Sequence, residues 1–558
     1  MKKLFALAII LFIALVIPHQ VSAQEMNNKY GIHIIDENDL EKAAELVNSN
    51  GGEWGYVTIV IRDDERDHGR WQRVFDTMRR LKLIPIVRLA THIEDNVWVA
   101  PNSDEGQVWA DFLNSLLWPV TERYIVLYNE PNHAKEWGGI IDPEAYAEVV
   151  QAYEKVLREA SDEFKILPAA LDLAAPNSSQ TMEATAFWKR VHAVDNFHFT
   201  RFDVWNSHSY PNPGFSGNVS DNGKTSIQGY KWELEYLVDF GLNPEIPVFI
   251  TETGWIAANT ESYNYISENY KAAFESVWND PQIRAVTPFL LRYTGEPFEK
   301  FAFLDQDGAR LPQFDSIAKL RKSAGNPIQK HSYELISTTI ANSLVSDSSY
   351  QFYITLKNTG QSIWKKEDGF SFHYSATLSP DQITIGDIPP TEPNQSVSIP
   401  ISISTDDRGK HSLTLQFNKD GEQIGNLIQA NFEIIAPPSL EIRVKGWFGS
   451  GSEENDFTLV INEDDRQVLK IEDLLVVDGL VSIPKVYNVI PGKSHTITVV
   501  KKYHVAKSKN VIIDPKYTTV NFGRLIPLDL NNDGKLGPKD LVQHIVNPSM
   551  TQLLISPF

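Results

Sequence analysis

There is no cysteine anywhere in the 558 residues, so no part of this chain is held by a disulfide or by a cysteine-ligated metal. Its domains must stand on core burial, or on a metal bound through other side chains. After the N-terminal segment, no apolar run approaches the ~20 residues that a membrane-spanning helix needs. Excess positive charge is also lacking: 51 Lys and Arg stand against 72 Asp and Glu, a formal charge of −21. That balance excludes nucleic acid and anionic lipid as partners, because both demand basic patches. A glycine-rich phosphate loop after an early strand, the mark of a nucleotide-binding open sheet, is missing as well.

What is present is ordinary for globular protein: 42% hydrophobic, 11% aromatic and 22% charged residues. The length suggests three or four domains at roughly 100–200 residues each. The first residues read Lys2, Lys3, the uncharged run LFALAIILFIALVI, then VSAQ. A basic start, a short apolar stretch and a small-x-small site ending at Ala23 predict a signal peptide over residues 1–23. The expected location is therefore outside the cell or on its surface, in a bacterium; retention of the run as an anchor is the rival reading.

Over residues 24–328, eight apolar or β-branched runs alternate with helical patterns. The runs are YGIHII from Tyr30, YVTIVIR from Tyr56, LIPIVRLA from Leu83, YIVLYNE from Tyr124, KILPAALD from Lys165, FDVWNSHSY from Phe202, PVFITET from Pro247 and AVTPFLLRY from Ala285. Between the fourth and fifth, Tyr146, Val149, Val150, Tyr153, Val156 and Leu157 share one face at helical spacing, with Pro143 in the first turn. Strands apolar almost throughout must be covered on both sides, so the pattern predicts a (β/α)8 TIM barrel. A doubly wound open sheet is the alternative.

Past Pro327 the texture turns to short alternating strands. Residues 331–435 predict one β-sandwich, APPSL at 436–440 a linker, and 440–523 a second β-sandwich module. Residues 524–558 hold an acidic loop and a helix. The chain is thus expected to be multidomain: an α/β barrel, two all-β sandwiches and a short C-terminal segment.

In a barrel of this kind the carboxyl ends of the strands form the floor of the cleft. The fourth run ends in Asn129 and Glu130, and the seventh, FITETGW, in Glu252. Two carboxyls facing one cleft, one protonated and one ionised, are the equipment for breaking a glycosidic bond. With NEP ending one strand and TETGW another, the chain resembles clan A glycoside hydrolases over roughly residues 29–323, and the stretch NEPNHAKEWGG followed by DPEAYAEVVQAYEKV looks closest to families 39 and 5. The resemblance implies Glu130 as general acid/base, Glu252 as nucleophile, retention of configuration, and Asn129 on the sugar 2-hydroxyl. It also implies that His208 and Tyr210 orient the nucleophile, and that no cofactor is needed for catalysis.

The eighth strand departs from that pattern. Many relatives carry a tryptophan there; this chain reads FLLRYTG, where Tyr293 or Arg292 would substitute. Trp98, Trp137, Trp255 and Tyr293 are candidate stacking platforms for sugar faces. Arg62 and Arg88 are candidates for binding hydroxyls or for holding a carboxylate ionised.

LKNTGQSIW, with Trp364, is similar to immunoglobulin-like modules that follow bacterial surface enzymes, where they act as spacers. DLNNDGKLGPKD, residues 529–540, has calcium-loop spacing: Asp529, Asn531, Asp533, Lys535 and Asp540 at positions 1, 3, 5, 7 and 12, with Gly534 at the sharp turn. It resembles a single dockerin repeat. A dockerin normally has two, and residues 541–558 leave little room for another. A Ca2+ brace on the preceding β-domain is accordingly expected in preference to cohesin binding. The function expected overall is that of a secreted retaining glycosidase acting on an oligo- or polysaccharide. The alternative is a non-catalytic sugar-binding barrel on a cell-surface stalk.

Overall fold

The computed structural model describes residues 27–259, 261–447 and 452–548. The predicted signal peptide lies outside them. Two units divide the chain, Met1–Lys330 and His331–Phe558.

The first unit holds eight parallel strands: β1 Gly31–His33, β2 Gly55–Arg62, β3 Leu83–Ala90, β4 Arg123–Leu127, β5 Phe164–Pro168, β6 Trp205–Ser207, β7 Val248–Ile250 and β8 Ile283–Val286. Strands β1 to β5 pair in order, as do β6 to β8. The two seams close through parallel bridges, Tyr30 with Val286 and Asp172 with His208. The result is the expected barrel.

Helices cover the outside: α1 Leu40–Val47, α2 His68–Arg80, α3 Gly106–Ser115, α4 Pro143–Ala160, α5 Ala184–His192, α6 Gly229–Val238, α7 Ser262–Glu275 and α8 Pro312–Lys319. Helix α4 shows how the sequence builds them. Asp142 caps it by accepting from the Ala145 amide at 3.0 Å, Pro143 fits the first turn, and Tyr146, Val149, Val150, Tyr153 and Leu157 are buried on the strand side.

The barrel interior is graded along its axis. At the amino end an apolar plug includes Tyr56, Ile86, Tyr124, Val126 and Phe249, with Tyr124 and Phe249 rings 4.7 Å apart. Burying such side chains is worth roughly 1.5–3 kcal/mol each. Other buried interior groups are hydroxyls and an amide that satisfy one another. Thr58 and Thr287 Oγ1 lie 2.8 Å apart, and Thr251 Oγ1 donates to Asn206 at 2.6 Å. The carboxyl ends carry the ionisable groups. Strands six to eight are shorter than the apolar runs that predict them, because the remainder of each run turns into this floor.

The second unit begins with β9 Tyr333–Thr338, β10 Ser343–Val345, β11 Ser348–Asn358, β12 Phe370–Ala376, β13 Ile383–Ile385, β14 Ser396–Thr405, β15 Gly409–Lys419 and β16 Ile428–Ile435. They form two sheets, ordered β9-β11-β14-β13 and β10-β16-β15-β12, around one apolar core. Trp364 is buried in that core, 4.8 Å from Phe417.

The next strands are β17 Ser439–Lys445, β18 Glu453–Glu463, β19 Arg466–Val477, β20 Leu480–Ile483, β21 Ser494–Lys501, β22 Lys507–Ile512 and β23 Tyr517–Arg524. Here the sandwich expectation is corrected. The strands make one hydrogen-bonded path, β22-β21-β18-β19-β20-β17-β23, not two facing sheets. Lys507 Nζ donates to the Phe522 and Arg524 carbonyls, and Lys509 Nζ to that of Asn521, so the two edge strands are fastened together. The two β modules are also joined. Tyr350 donates to the Val489 carbonyl at 2.9 Å, and the Ser349 amide to Asn488 at 3.0 Å.

In the C-terminal segment, Asp529 accepts from the Asp533 and Gly534 amides, and Asp540 from those of Asn531 and Gly537, before helix α9 Pro538–Val546. No helix among the described residues is long and apolar enough to cross a membrane.

Candidate active site

Strand β4 ends at Leu127, and the chain then takes two backbone conformations that L residues rarely adopt, Tyr128 at φ +76° and Glu130 at φ +29°. Such conformations cost on the order of 1–3 kcal/mol each and persist where the surroundings over-determine them. The turn is secured by the His133 amide on the Glu130 carbonyl at 2.8 Å. It sets Asn129 and Glu130 at the mouth of the barrel. Glu252 follows β7 and is nearly buried, 8% exposed.

His208, at the end of β6, ties the two carboxyls together. Its Nδ1 lies 2.8 Å from Glu130 Oε1 and 3.8 Å from Glu252 Oε2. Side-chain atoms of Glu130, His208 and Glu252 all fall within 4.8 Å of one another. Arg88 Nη1, from β3, donates to Glu252 Oε1 at 2.7 Å and to Asn129 Oδ1 at 2.6 Å. Tyr210 donates to Glu252 Oε2 at 3.2 Å.

These contacts decide the charge states. Burial alone would raise the Glu252 pKa, but the His208 and Arg88 charges, with the Tyr210 hydroxyl, overcome it and hold the carboxyl below its ordinary range. Burial would lower His208; Glu252 and Glu130 reverse that and hold the imidazole above its usual value. Burial, reinforced by Glu252 and Glu130, pushes the Tyr210 phenol well up, so it stays a donor. His33, fully buried on β1, is held down to about 3 by burial and is neutral. It stands 3.6 Å from Glu252, beyond hydrogen-bond reach, and adds no charge.

The same three groups, Glu130, His208 and Glu252, are the one acidic and histidine set among the described residues close enough to share a metal ion. Arg88 argues against that use. A permanent cation on Glu252 would repel a second one at the same carboxylate.

Several expected residues are placed elsewhere. Arg62, the last residue of β2, pairs with Asp64 at 2.6 Å and holds that carboxyl below its ordinary range, a surface ion pair and not a contact to Glu130 or Glu252. Trp137 is 1% exposed, packed edge-on against Tyr146 and Tyr128 at 5.6 and 6.1 Å. Trp255 is 2% exposed, with its indole N–H on the Gly217 carbonyl and its ring 5.0 Å from Tyr270. Neither can stack on a sugar. Arg292 is held by Asp39 at 2.7 Å.

Trp98 is half-buried on the two-residue hairpin after β3, and Tyr293 half-buried beside Phe298. Phe289, not singled out from the sequence, is the half-buried aromatic just after β8, its ring 5.2 Å from His33. The signal was there, an aromatic in the FLLRYTG run itself.

Glu136, also missed, accepts from Asn129 Nδ2 at 3.2 Å. The third missed group is Glu233 on α6, fully buried behind His208, where Ser207 Oγ donates to it and Ser209 Oγ lies 2.8 Å from Ser207 Oγ. Burial pushes its pKa from the ordinary 4.5 up to about 8.

The folded chain therefore keeps a proton that the unfolded chain releases above pH 4.5, and stability falls as pH rises from 4.5 to 8. Glu233→Gln should remove that decline. Its melting temperature should match wild type near pH 4 and exceed it at pH 8, by roughly 2–4 °C per kcal/mol relieved. Parallel melting curves across that range would show that Glu233 carries no extra proton.

No family model matches the chain, and no curated protein matches it. Among solved structures, an endo-beta-1,4-mannanase from Thermotoga petrophila matches with 11% identity and a TM-score of 0.35, covering 74% of this chain and 98% of its own. A GH128 (subgroup II) endo-beta-1,3-glucanase from Sorangium cellulosum matches with 16% identity and a TM-score of 0.34, covering 53% and 98%. A GH5 xyloglucan-specific endo-beta-1,4-glucanase from a metagenomic library matches with 16% identity and the same TM-score of 0.34, covering 50% and 86%. At that distance, the chemistry of the cleft follows from its own residues.

Proposed function

We propose that this chain is a secreted retaining glycoside hydrolase that cleaves an oligo- or polysaccharide by double displacement. The observation that supports it is the pair of carboxyls, with Glu130 and Glu252 atoms within 4.8 Å across the cleft and Glu252 held ionised. Retaining enzymes need their carboxyls about 5–5.5 Å apart; inverting ones leave about 6.5–9.5 Å for a water.

Glu252, fixed by Arg88 and Tyr210, attacks the anomeric carbon. Glu130, more open to the cleft and hydrogen-bonded to His208, protonates the leaving oxygen. A covalent glycosyl–enzyme results, and Glu130 then removes a proton from the water that releases the sugar. Asn129 binds the 2-hydroxyl, while Phe289, Trp98 and Tyr293 are the rings left to line the sugar path.

A screen of aryl glycosides and polysaccharides, with Glu252→Ala as the blank, tests this reading. Turnover lost in the blank supports it. Sugar binding without any turnover would favour the non-catalytic barrel instead. Export rests on the basic and apolar N-terminus alone and is read out by secretion of the full-length chain.

Calcium at the C-terminal loop belongs to the same proposal. Gly534 makes its turn at φ +83°, and Asp529 is 1% exposed within the loop. Asp529, Asp533 and Asp540 accept main-chain amides and are not drawn into one cluster. The residues have the ligand types and turn that calcium needs, and the ion would draw on Asp529, Asn531, Asp533, Asp540 and the Lys535 carbonyl. Calorimetry should detect binding that Asp533→Ala removes, and a chelator should speed proteolysis near the C-terminus while hydrolysis continues. No heat on adding Ca2+ would make the loop a turn only.

A further inference from the structure

Glu136 has no role among the residues singled out from the sequence, yet its carboxyl reaches Asn129 on the floor of the cleft. It ends a single 3-10 turn, Ala134–Glu136, that is fastened from several sides. The Glu136 amide donates to the His133 carbonyl at 3.0 Å, the Ala134 amide to the Gln180 carbonyl at 2.9 Å, and Trp137 beside it is buried in the core. Trp137 thus serves the site as the anchor of this turn.

The partner of Glu136 is the Asn129 amide. An amide side chain presents an acceptor at one end and two N–H donors at the other, and a half-rotation exchanges them. Arg88 donates to Oδ1 at 2.6 Å and Glu136 accepts from Nδ2 at 3.2 Å, so only one orientation satisfies both neighbours. One N–H of Nδ2 is spent on Glu136. The other is left for a ligand.

We propose that Glu136 is a positioning residue that fixes the Asn129 amide toward the sugar 2-hydroxyl and so makes that hydroxyl a requirement for rapid turnover. The inference rests on the hydrolase reading above. It concerns the acceptor oxygen of Glu136 and not its charge. Burial, followed by the neighbouring Glu130, holds the Glu136 carboxyl above its ordinary range, which weakens any claim that it acts as a fixed anion.

The test compares two substrates and two variants, using the 4-nitrophenyl glycoside that the wild-type enzyme turns over and its 2-deoxy counterpart. Glu136→Ala should lower kcat/KM about 10- to 100-fold on the parent glycoside, the worth of one well-placed polar contact in the transition state, and less than about 3-fold on the 2-deoxy sugar, which cannot use it. Glu136→Gln keeps an acceptor oxygen and should stay within about 3-fold of wild type on both, with an unchanged pH profile. Its behaviour also separates a lost contact from a misfolded variant.

Equal losses on the two substrates would overturn the inference and leave the hydrolase intact. So would a Gln variant that falls as far as the Ala variant with a shifted pH profile, since that outcome assigns Glu136 to electrostatic tuning of Glu130. A wild-type protein that turns over no glycoside would remove both readings together.

Discussion

Glu252→Ala should lose about 10⁵-fold or more in kcat, the scale seen when an enzyme's nucleophile is deleted. That corresponds to roughly 7 kcal/mol of barrier. The size follows from where Glu252 sits. Arg88, Tyr210 and His208 converge on a carboxylate that burial alone would neutralise, and once it is gone these groups face an empty space of about its volume. Azide, small and anionic, should enter that space and attack the anomeric carbon from the side Glu252 used. Partial rescue with a glycosyl azide of inverted configuration is the expected result. The wild-type enzyme should release a sugar of unchanged configuration. NMR of the first-formed product decides it: an inverted sugar would remove Glu252 from the nucleophile role.

Glu130→Gln should produce a loss that depends on the leaving group. Proton donation contributes roughly 10²–10⁴-fold where the departing oxygen is a poor leaving group. An activated phenol needs little help, so its glycosylation step should slow far less. The variant keeps a group of the same shape beside His208, 2.8 Å away in the wild type, which limits the change to proton transfer. A Brønsted series of aryl glycosides measures this. A uniform fall in kcat/KM across the series would show that Glu130 does not supply the proton.

The barrel was legible because its strands, covered on both faces, are apolar almost from end to end. Any charged residue near a strand's carboxyl end then stands out against the run. Arg88, Glu130 and Glu252 were visible for that reason, and His33 carried the same signal in YGIHII. Aromatic residues in the loops after the strands gave no comparable contrast, because a ring that packs downward and a ring that lines a cleft look alike in sequence. The path of the loop separates them. After Trp137 the chain takes positive φ at Gly138 and Gly139, +65° and +82°, so the loop turns sharply where the indole enters the core. Glu136 had no signal at all, since its reach to Asn129 depends on one turn of 3-10 helix in an irregular loop. In the second β module, alternation marked the strands but not their pairing, and a single continuous path uses the same alternation as two sheets.

That module's first and last strands, β17 and β23, lie side by side and run parallel, from Ser439 opposite Tyr517 to Lys445 opposite Arg524, with one bulge between Arg443 and Val444. A pull on its two ends therefore draws the neighbours past each other lengthwise. Their cross-links bear the load together, where an antiparallel hairpin pulled at its open end would peel apart one bond at a time.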